Sequence, residues 1–274
     1  MLQKLLAMAA GAVLIGLVPS PGHAQQALDL GIEAPGVRNF VGGAVGAVPD
    51  YVGSDDYTVG IAPAGKVHWD PSERYIRLIA SELSVNIIDS KNWSLGPLAN
   101  YRFGRKNVDD SVVDKMEDID GTVELGVFGG WTWIGPDDPR QRLNVSLQFQ
   151  HDVGGVHDGY LVTPSVRYWH PVTRPLTLSI GASTTYGSKN YMSTYFDVTP
   201  SDSARSGLST FSASSGIRDV RIAPMAIYSL SQQWHLAGGL IYSRLVGDAA
   251  DSPIVSDRGS ENQLFGGFGV VYAW

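Results

Sequence analysis

The sequence predicts an all-β protein, a transmembrane antiparallel up-and-down β-barrel of about twelve strands that follows a cleaved signal peptide. Three features lead to this prediction: alternating segments of about 10–12 residues, an export signal at the N-terminus, and a last segment that ends on an aromatic residue. Alternation with a period of two indicates a strand with one apolar face. Outside residues 1–24, no apolar run is long enough to cross a membrane as a helix, so membrane insertion would require a closed barrel.

Residues 1–24 have the pattern of a secretory signal. Lys4 supplies the basic region, residues 5–18 form the apolar region, and residues 22–24 form a small-x-small cleavage site. The apolar run is shorter than the ~20 residues that a membrane helix needs. Residues 25–274 are therefore predicted to be the mature protein, a single outer-membrane barrel domain.

The composition fits an exported, strand-rich protein and argues against nucleic acid as a partner. The chain contains no cysteine, so an exported form folds without disulfides. It carries 27 acidic and 20 basic residues, a formal net charge of -7, whereas nucleic-acid binding depends on basic patches. Its 32 glycines, 12 tyrosines and 7 tryptophans suit alternating strands better than helices.

The alternation is clearest in residues 142–152. Leu143, Val145, Leu147 and Phe149 lie on one face, and polar residues lie on the other. The same pattern recurs in several segments, at residues 93–103, 122–133, 176–183 and 262–274. Aromatic residues near the strand ends match the interfacial girdles of a membrane barrel: Trp69, Tyr101, Trp133, Tyr168, Tyr186, Trp234, Tyr242 and Trp274. No helical periodicity of useful length is found outside the signal.

The lengths of the connections set the strand count. Five connections are short, at residues 70–73, 89–92, 135–140, 170–174 and 229–233. Three are long and polar, at residues 104–120, 187–219 and 247–261. Outer-membrane barrels keep short turns in the periplasm and long loops outside. Splitting residues 74–88 into two strands around Ala80 and Ser81 gives twelve strands and satisfies this rule, and ten strands is the alternative.

Charged residues of both signs fall at positions that would face the lumen of the barrel. In a membrane such groups must face protein or water. With twelve strands the lumen is narrower than the aqueous channel of barrels with ~16–18 strands, so a large porin is disfavoured. The candidate lumen-lining residues are Lys66, Glu82, Arg102, Glu124, Asp152, Arg167 and Arg221.

Four segments resemble the MipA/OmpV family of outer-membrane proteins. They are PDYVGSDDY at 49–57, GPLANYRFGR at 96–105, YFDVTPSDSARSGLSTFSASSGIRD at 195–219, and LVGDAADSPIV at 245–255. The segments lie in the family's order and cover essentially the whole mature chain. Two positions depart from the pattern: Trp274 stands where a terminal Phe is commoner, and Phe211 where Tyr is expected.

The resemblance implies a barrel of the Gram-negative outer membrane that is linked to murein metabolism. The family's founding member is known as a scaffold that joins a lytic transglycosylase to a penicillin-binding protein, and other members are described as porin-like. The family has no agreed catalytic residues and implies no cofactor. The function expected here is a non-enzymatic scaffold for murein remodelling, with a narrow or gated channel for small solutes as the alternative.

The expected partners follow from the barrel and from the resemblance. They are outer-membrane lipid and lipopolysaccharide, the barrel-assembly machinery, a lytic transglycosylase and a penicillin-binding protein. Tyr272 and Trp274 are the candidate C-terminal assembly signal. A periplasmic contact ring could be formed by residues in or next to the short turns: Arg74, Lys91, Trp93, Arg140, Arg174 and Trp234.

The connection at residues 187–219 is too long for a simple connector in a compact protein. Its large apolar and aromatic residues require cover from water. We therefore predict that this connection folds over or into the barrel mouth as a plug. The candidate plug residues are Tyr191, Tyr195, Phe196, Leu208 and Phe211.

Two connections carry residues of the types that an enzymatic site or a metal site would use. The pairs His151-Asp152 and His157-Asp158 converge on one connection, and a His beside a carboxylate can act as a general base. No positioned Ser nucleophile or third orienting group accompanies them. The acidic connection at 104–120 lacks the spacing of an EF-hand calcium site, which favours a solvated loop. We therefore predict neither catalytic residues nor a metal.

Overall fold

A computed structural model describes residues 36–274, so the predicted signal peptide at 1–24 lies outside the described residues. The described chain forms a closed barrel of twelve antiparallel strands, which confirms the predicted fold and strand count. The strands are β1 Phe40–Pro49, β2 Tyr57–His68, β3 Tyr75–Ile79, β4 Glu82–Asn86, β5 Trp93–Arg102, β6 Thr122–Ile134, β7 Arg142–Asp152, β8 Tyr160–Pro171, β9 Leu176–Gly187, β10 Gly216–Ser229, β11 Trp234–Leu245 and β12 Asn262–Ala273.

Each strand pairs with its neighbours in sequence, and β1 pairs with β12 to close the barrel. Phe40 at the start of β1 lies opposite Ala273 at the end of β12. Five short turns, at residues 69–74, 87–92, 135–141, 172–175 and 230–233, lie at the same end of the barrel as both ends of the described chain. The long loops lie at the other end, together with the two-residue turn at Ala80 and Ser81 and the connection at 153–159. Because outer-membrane barrels carry their long loops outside the cell, the short turns mark the periplasmic end.

The outer face of the barrel is apolar. On β7, Val145, Leu147 and Phe149 expose 48%, 52% and 40% of their surface. The alternate residues face inward: Ser146 shares a 2.7 Å hydrogen bond with Ser165 of β8. A continuous band of exposed apolar side chains on a closed barrel is covered by lipid, because water would oppose its exposure. Among the described residues, no helix is long and apolar enough to cross a membrane.

The region predicted to be split does form two strands. β3 and β4 have five residues each and are joined by Ala80 and Ser81. The backbone of Ala80 is left-handed, with a φ of 51°. Ile79 pairs with Ala64, so residues 57–63 of β2 extend beyond this hairpin towards the extracellular end. The barrel wall is therefore lower between β2 and β5 than elsewhere.

The extracellular loops contain four short helices and a 3-10 turn: α1 Lys189–Phe196, α2 Pro200–Ser206, α3 Asp248–Asp251, α4 Pro253–Ser256, and the turn Val113–Lys115. Elements of four to eight residues are too short to show a helical period. They form because the loops pack on one another, and α2 also has a side-chain cap at its start. Thr199 caps that helix by accepting the backbone N–H of Asp202, and Gly207 ends it at a φ of 82°.

The interior of the barrel has two unlike halves. Small and apolar residues fill the side formed by β1, β2 and β10–β12. Polar and charged residues line the opposite side, formed largely by β3–β9. At the extracellular end, four loops pack together into two buried apolar clusters. We call these loops, residues 50–56, 103–121, 188–215 and 246–261, the cap.

Candidate functional site

The cap lies over the extracellular mouth of the barrel, and α1 is its deepest part. Tyr191 and Phe196 of α1 are fully buried, and Tyr195 is 8% exposed. Leu208 is buried in the neighbouring apolar cluster, against which the partly buried Phe211 packs. All five candidate plug residues thus lie within the cap. Their role in blocking passage through the barrel stays a prediction.

Tyr191 connects the cap to the charged wall of the lumen. Its hydroxyl accepts a 2.5 Å hydrogen bond from Nη1 of Arg218. The guanidinium groups of Arg102 and Arg218 lie 5.1 and 5.5 Å from the centre of its ring, within the range of cation–π attraction. The ring of His157 meets it edge-on at 5.2 Å. We call Tyr191, Arg102, Arg218, His157 and Glu124 the Tyr191 cluster.

Glu124 is the buried acid of this cluster. It is fully buried on β6 and accepts hydrogen bonds from Nε of Arg102 at 2.7 Å and from the amide of Asn100 at 2.9 Å. His157 Nε2 lies 3.2 Å from the same carboxylate. A buried carboxylate without such partners would be strongly destabilising. Glu124 therefore joins three elements: β5, β6 and the β7–β8 connection.

Asp152 organises the β7–β8 connection. Its carboxylate accepts backbone N–H groups from residues 154, 156, 157 and 158, at 2.9, 2.8, 2.6 and 2.9 Å, and the hydroxyl of Thr122. His151 Nδ1 lies 2.7 Å from the carbonyl oxygen of Gly159. Of the four residues in the pairs His151-Asp152 and His157-Asp158, three thus have side chains within bonding distance of other protein groups. The fourth, Asp158, is exposed.

A polar cavity of about 380 Å³ lies beneath the Tyr191 cluster. It extends to the periplasmic end of the barrel, where Ser90, Lys91 and Asn92 line it. Five of the seven candidate lumen residues also line it: Lys66, Glu82, Arg102, Arg167 and Arg221. Glu124 and Asp152 do not line it, because their carboxylates are enclosed by the contacts described above. A functional role for these seven residues stays a prediction.

The wall of the cavity is strongly basic, in contrast to the acidic chain as a whole. Eight basic side chains line it: Lys66, Arg77, Lys91, Arg102, Arg142, Arg167, Arg218 and Arg221. Only two acidic residues do so, Glu73 and Glu82, and both form ion pairs, Glu73 with Arg38 at 3.2 Å and Glu82 with Arg77 at 3.4 Å. The buried carboxylates of Glu124 and Asp219 lie behind the wall and neutralise part of this charge, and the positive charge that remains favours anions.

Sequence reasoning missed Arg218 because it assigned residues 187–219 to a loop, whereas β10 begins at Gly216 and its alternation breaks near its start. The register of β10 against β9 shifts between Ile217 and Asp219, a bulge that buries both Arg218 and its neighbour Asp219. The two form a 2.5 Å ion pair, and Arg221 contacts the same carboxylate at 2.9 Å. Arg77 and Arg142 were missed for a different reason. Arg77 lies in the uncertain 74–88 region, and Arg142 begins a strand.

Hydrogen bonds also join the loops of the cap to one another. Asp110 pairs with Arg258 at 2.6 Å and accepts the backbone N–H groups of Val112 and Val113. Burial alone would raise the pKa of Asp110, but the Arg258 guanidinium and these N–H groups outweigh burial and hold the pKa below its ordinary value. The rest of the 104–120 acids have exposed side chains. Within residues 36–274, no group of three or more His, Asp or Glu residues could hold a metal.

The candidate periplasmic ring contains residues with different roles. Arg140 joins two turns, because it pairs with Asp138 at 2.7 Å and donates to the carbonyl oxygens of residues 173 and 174 at 3.0 and 2.7 Å. Arg74 donates to the carbonyl oxygen of residue 87 at 3.0 Å. Lys91 and Arg174 have exposed side chains on separate turns. The remaining two, Trp93 and Trp234, expose 61% and 49% of their surface at the barrel rim.

The C-terminal aromatic residues lie on the outside of the barrel. Tyr272 and Trp274 expose 39% and 45% of their surface, and their rings are 6.4 Å apart. Tyr272 also contacts Trp234 of β11 at 5.0 Å. This position leaves both rings accessible at the periplasmic rim, and their role as an assembly signal stays a prediction.

Comparison with known proteins gives one family and several similar folds. Residues 41–274 match the family described as MltA-interacting protein MipA. No curated protein matches the chain. Among solved structures, the chain is similar to the NanC porin, with 9% identity and a TM-score of 0.49 over 86% of this chain and 100% of that one. It is also similar to the translocator domain of autotransporter NalP from Neisseria meningitidis, with 13% identity and a TM-score of 0.45. That match covers 89% of this chain and 91% of the NalP chain. A third similar structure is the channel DcaP of Acinetobacter baumannii, with 8% identity and a TM-score of 0.39. That match covers 86% of this chain and 96% of the DcaP chain.

Proposed function

This chain belongs to the MipA family and is a β-barrel of the Gram-negative outer membrane, and from that premise we propose that it binds a murein-remodelling enzyme at its periplasmic end. The observation that carries the proposal is the match over residues 41–274 to a family whose description names an interaction with MltA. The partner proposed is accordingly a lytic transglycosylase of the MltA type. A penicillin-binding protein held at the same time would make the barrel a scaffold.

The arrangement of the two ends of the barrel supports this proposal. The extracellular end is covered by the cap, whose loops are held by buried apolar clusters and by the Tyr191 cluster. The periplasmic end carries exposed basic side chains on short turns, among them Lys91 and Arg174. Such a surface suits a partner with acidic side chains, because complementary charge increases the rate of association and fixes orientation.

A capture experiment tests the proposal. The refolded barrel is immobilised and exposed to purified MltA, with an unrelated outer-membrane barrel as the control. The expected result is selective retention of MltA by this barrel. Replacement of both Lys91→Glu and Arg174→Glu should weaken retention by at least about ten-fold, since several kcal/mol can follow from like-charge contacts. Lys115→Glu, a single charge reversal on the extracellular side, should leave retention unchanged.

Two results would contradict the proposal. One is equal retention of MltA by this barrel and by the unrelated barrel. The other is retention that the Lys91→Glu and Arg174→Glu double variant and Lys115→Glu lower to the same extent. The same beads exposed to a solubilised envelope extract report on a penicillin-binding protein, which the scaffold form of the proposal expects in the retained fraction.

A narrow or gated channel is the second candidate function. The observation that favours it is the polar, charged cavity that extends from the periplasmic end to the underside of the cap. Passage through the barrel would require α1 to leave the mouth and Tyr191 to separate from Arg218. Planar-bilayer conductance distinguishes this function from a purely structural barrel, because a cap that stays closed passes no current.

A further inference from the structure

Arg167 is an unusual cation within the basic cavity. It lies on the inner face of β8, opposite Asn144 of β7 and Gly181 of β9. A Cβ atom at residue 181 would come within 3.0 Å of the Arg167 guanidinium, so the glycine leaves space for that group to lie across β9. Its described contacts are Met225 Sδ at 3.4 Å and the ring of Trp169 at 5.9 Å. Within residues 36–274, no carboxylate pairs with it.

Trp169 provides a second donor at the same place. It is two residues from Arg167 on the same face of β8, lines the cavity and is only 8% exposed. Its indole Nε1 is buried and has no hydrogen-bond partner among the described residues. A buried indole N–H normally finds an acceptor, because leaving it unpaired costs free energy. Arg167 and Trp169 thus both line the cavity, and among the described residues the guanidinium has no carboxylate partner and the indole N–H has no acceptor.

The rest of the polar wall near Arg167 consists of hydroxyl and amide groups. They project from the inner faces of β7 and β8: Asn144, Ser146, Gln148, Gln150, Thr163 and Ser165. Hydroxyl and amide groups both donate and accept hydrogen bonds, which suits a ligand that carries many hydroxyl groups. The cavity volume of about 380 Å³ lies at the lower end of the range for small-molecule sites, which fits one or two sugar rings.

From these observations we propose that the lumen cavity binds a small carboxylated sugar, with its carboxylate on Arg167 and Trp169. An arginine fork and a carboxylate match in charge and in geometry, and the indole N–H supplies a third donor. The neighbouring hydroxyl and amide groups bind the sugar hydroxyls. The ligand enters from the periplasmic end, where the cavity reaches residues 90–92. This proposal does not depend on MltA as a partner.

Titration calorimetry on the detergent-solubilised mature barrel tests the proposal with matched ligands. D-glucuronate is compared with D-glucose, and N-acetylmuramate with N-acetylglucosamine, so that each pair differs in a carboxyl-bearing group. The expected result is that the acid of at least one pair binds at least about ten-fold more tightly than its neutral counterpart. A preference for the acid that is larger in the muramate pair would identify the ligand as a cell-wall saccharide. A preference that is larger in the glucuronate pair would identify it as a uronic acid from another source.

Variants identify the residues that bind the carboxylate. Arg167→Gln should abolish the difference in affinity between the acid and the neutral sugar. Trp169→Phe, which removes the indole N–H but keeps an aromatic ring, should reduce that difference. Arg174→Gln removes an equal charge from an exposed periplasmic turn and should leave the difference intact. Heat-modifiable migration in gels verifies that each barrel is folded. If Arg167→Gln fails to fold, Asn144→Asp, which places a carboxylate opposite Arg167, should lower affinity for the acid instead.

Three results would overturn the proposal. The first is no measurable binding of either acid. The second is equal affinity for the acid and the neutral sugar in both pairs. The third is an acid preference that survives in folded Arg167→Gln. Since retention of MltA on beads is a separate measurement, failure here leaves the proposed function untouched, and failure there leaves the sugar site untouched.

Discussion

Two tyrosines on α1 lie one turn apart and differ in how their hydroxyl groups are bound. The Tyr191 hydroxyl accepts a hydrogen bond from Arg218, whereas the buried Tyr195 hydroxyl has no partner among the described residues. Tyr191→Phe should therefore lower the free energy of unfolding by about 1.5–3 kcal/mol, the usual contribution of a hydrogen bond to a charged group. Tyr195→Phe, the matched control, should be neutral or slightly stabilising. Denaturant unfolding of the refolded barrel measures both, and equal effects of the two changes would refute the role given to the Arg218 contact.

The ion pair of Asp110 and Arg258 makes part of the cap stability depend on pH. Because the folded pKa of Asp110 lies below its unfolded value, the carboxylate stabilises the folded state fully above the unfolded pKa. That contribution is lost as the pH falls through the folded pKa. Asp110→Asn should thus lower the unfolding temperature at about pH 7, and its difference from the wild type should shrink at about pH 3.

The control for this prediction is Asp114→Asn, which neutralises an exposed carboxyl group on the same loop. It should differ little from the wild type at either pH. A difference between Asp110→Asn and the wild type that is the same at both pH values would mean that the carboxylate does not supply the stabilisation.

Single residues also show where sequence reasoning succeeds and fails. Arg167 and Arg102 could be placed in the lumen because strand alternation fixes which side chains face inward. Arg218 could not, because the bulge after Ile217 changes the alternation locally. The contact between Arg218 and Tyr191 joins a strand to a loop helix 27 residues away in sequence. Such a contact depends on the three-dimensional packing and has no local pattern.

At the scale of elements, α1 and α2 lie together in the longest loop of the cap, residues 188–215, which is the predicted plug. Deleting residues 195–216 removes the end of α1, all of α2 and the apolar residues that pack beneath the other loops. The deletion should raise the conductance of the barrel in planar bilayers and the antibiotic sensitivity of cells that carry it. A folded deletion variant with unchanged conductance and unchanged sensitivity would rule out the plug.

The short helices were predictable in part. The start of α2 carries a capping Thr199, a proline in the first turn and Asp202 three residues after the cap, and Gly207 follows its last residue. These are sequence signals for a helix start and stop, and they lie within a segment that has no apolar period. The helix α1 has no such pair of signals, since Ser188 makes no side-chain capping bond. Its stability comes from burial of Tyr191, Met192 and Phe196.

At the scale of the whole molecule, the strand count could be predicted from the lengths of the loops, whereas the arrangement of the cap could not. Placing short turns at one end and long loops at the other required the split at Ala80 and Ser81, which the structure contains. Loop lengths say nothing about how loops pack on one another. The cap joins Asp110 to Arg258, residues from loops 148 positions apart, and contacts of this kind are determined by packing at the barrel mouth.

The pairing of β1 with β12 has a consequence for the order in which the barrel forms. Every other strand pair joins neighbours in sequence, whereas Phe40 and Ala273 come from opposite ends of the described chain. Contacts between distant residues carry a larger loop-closure entropy and slow folding. Until β12 is in place, β1 and β11 both present unpaired sheet edges, which can join other chains and aggregate. Pairing of β12 with β1 therefore determines whether folding ends in a closed barrel or stops at an open intermediate that is prone to aggregation.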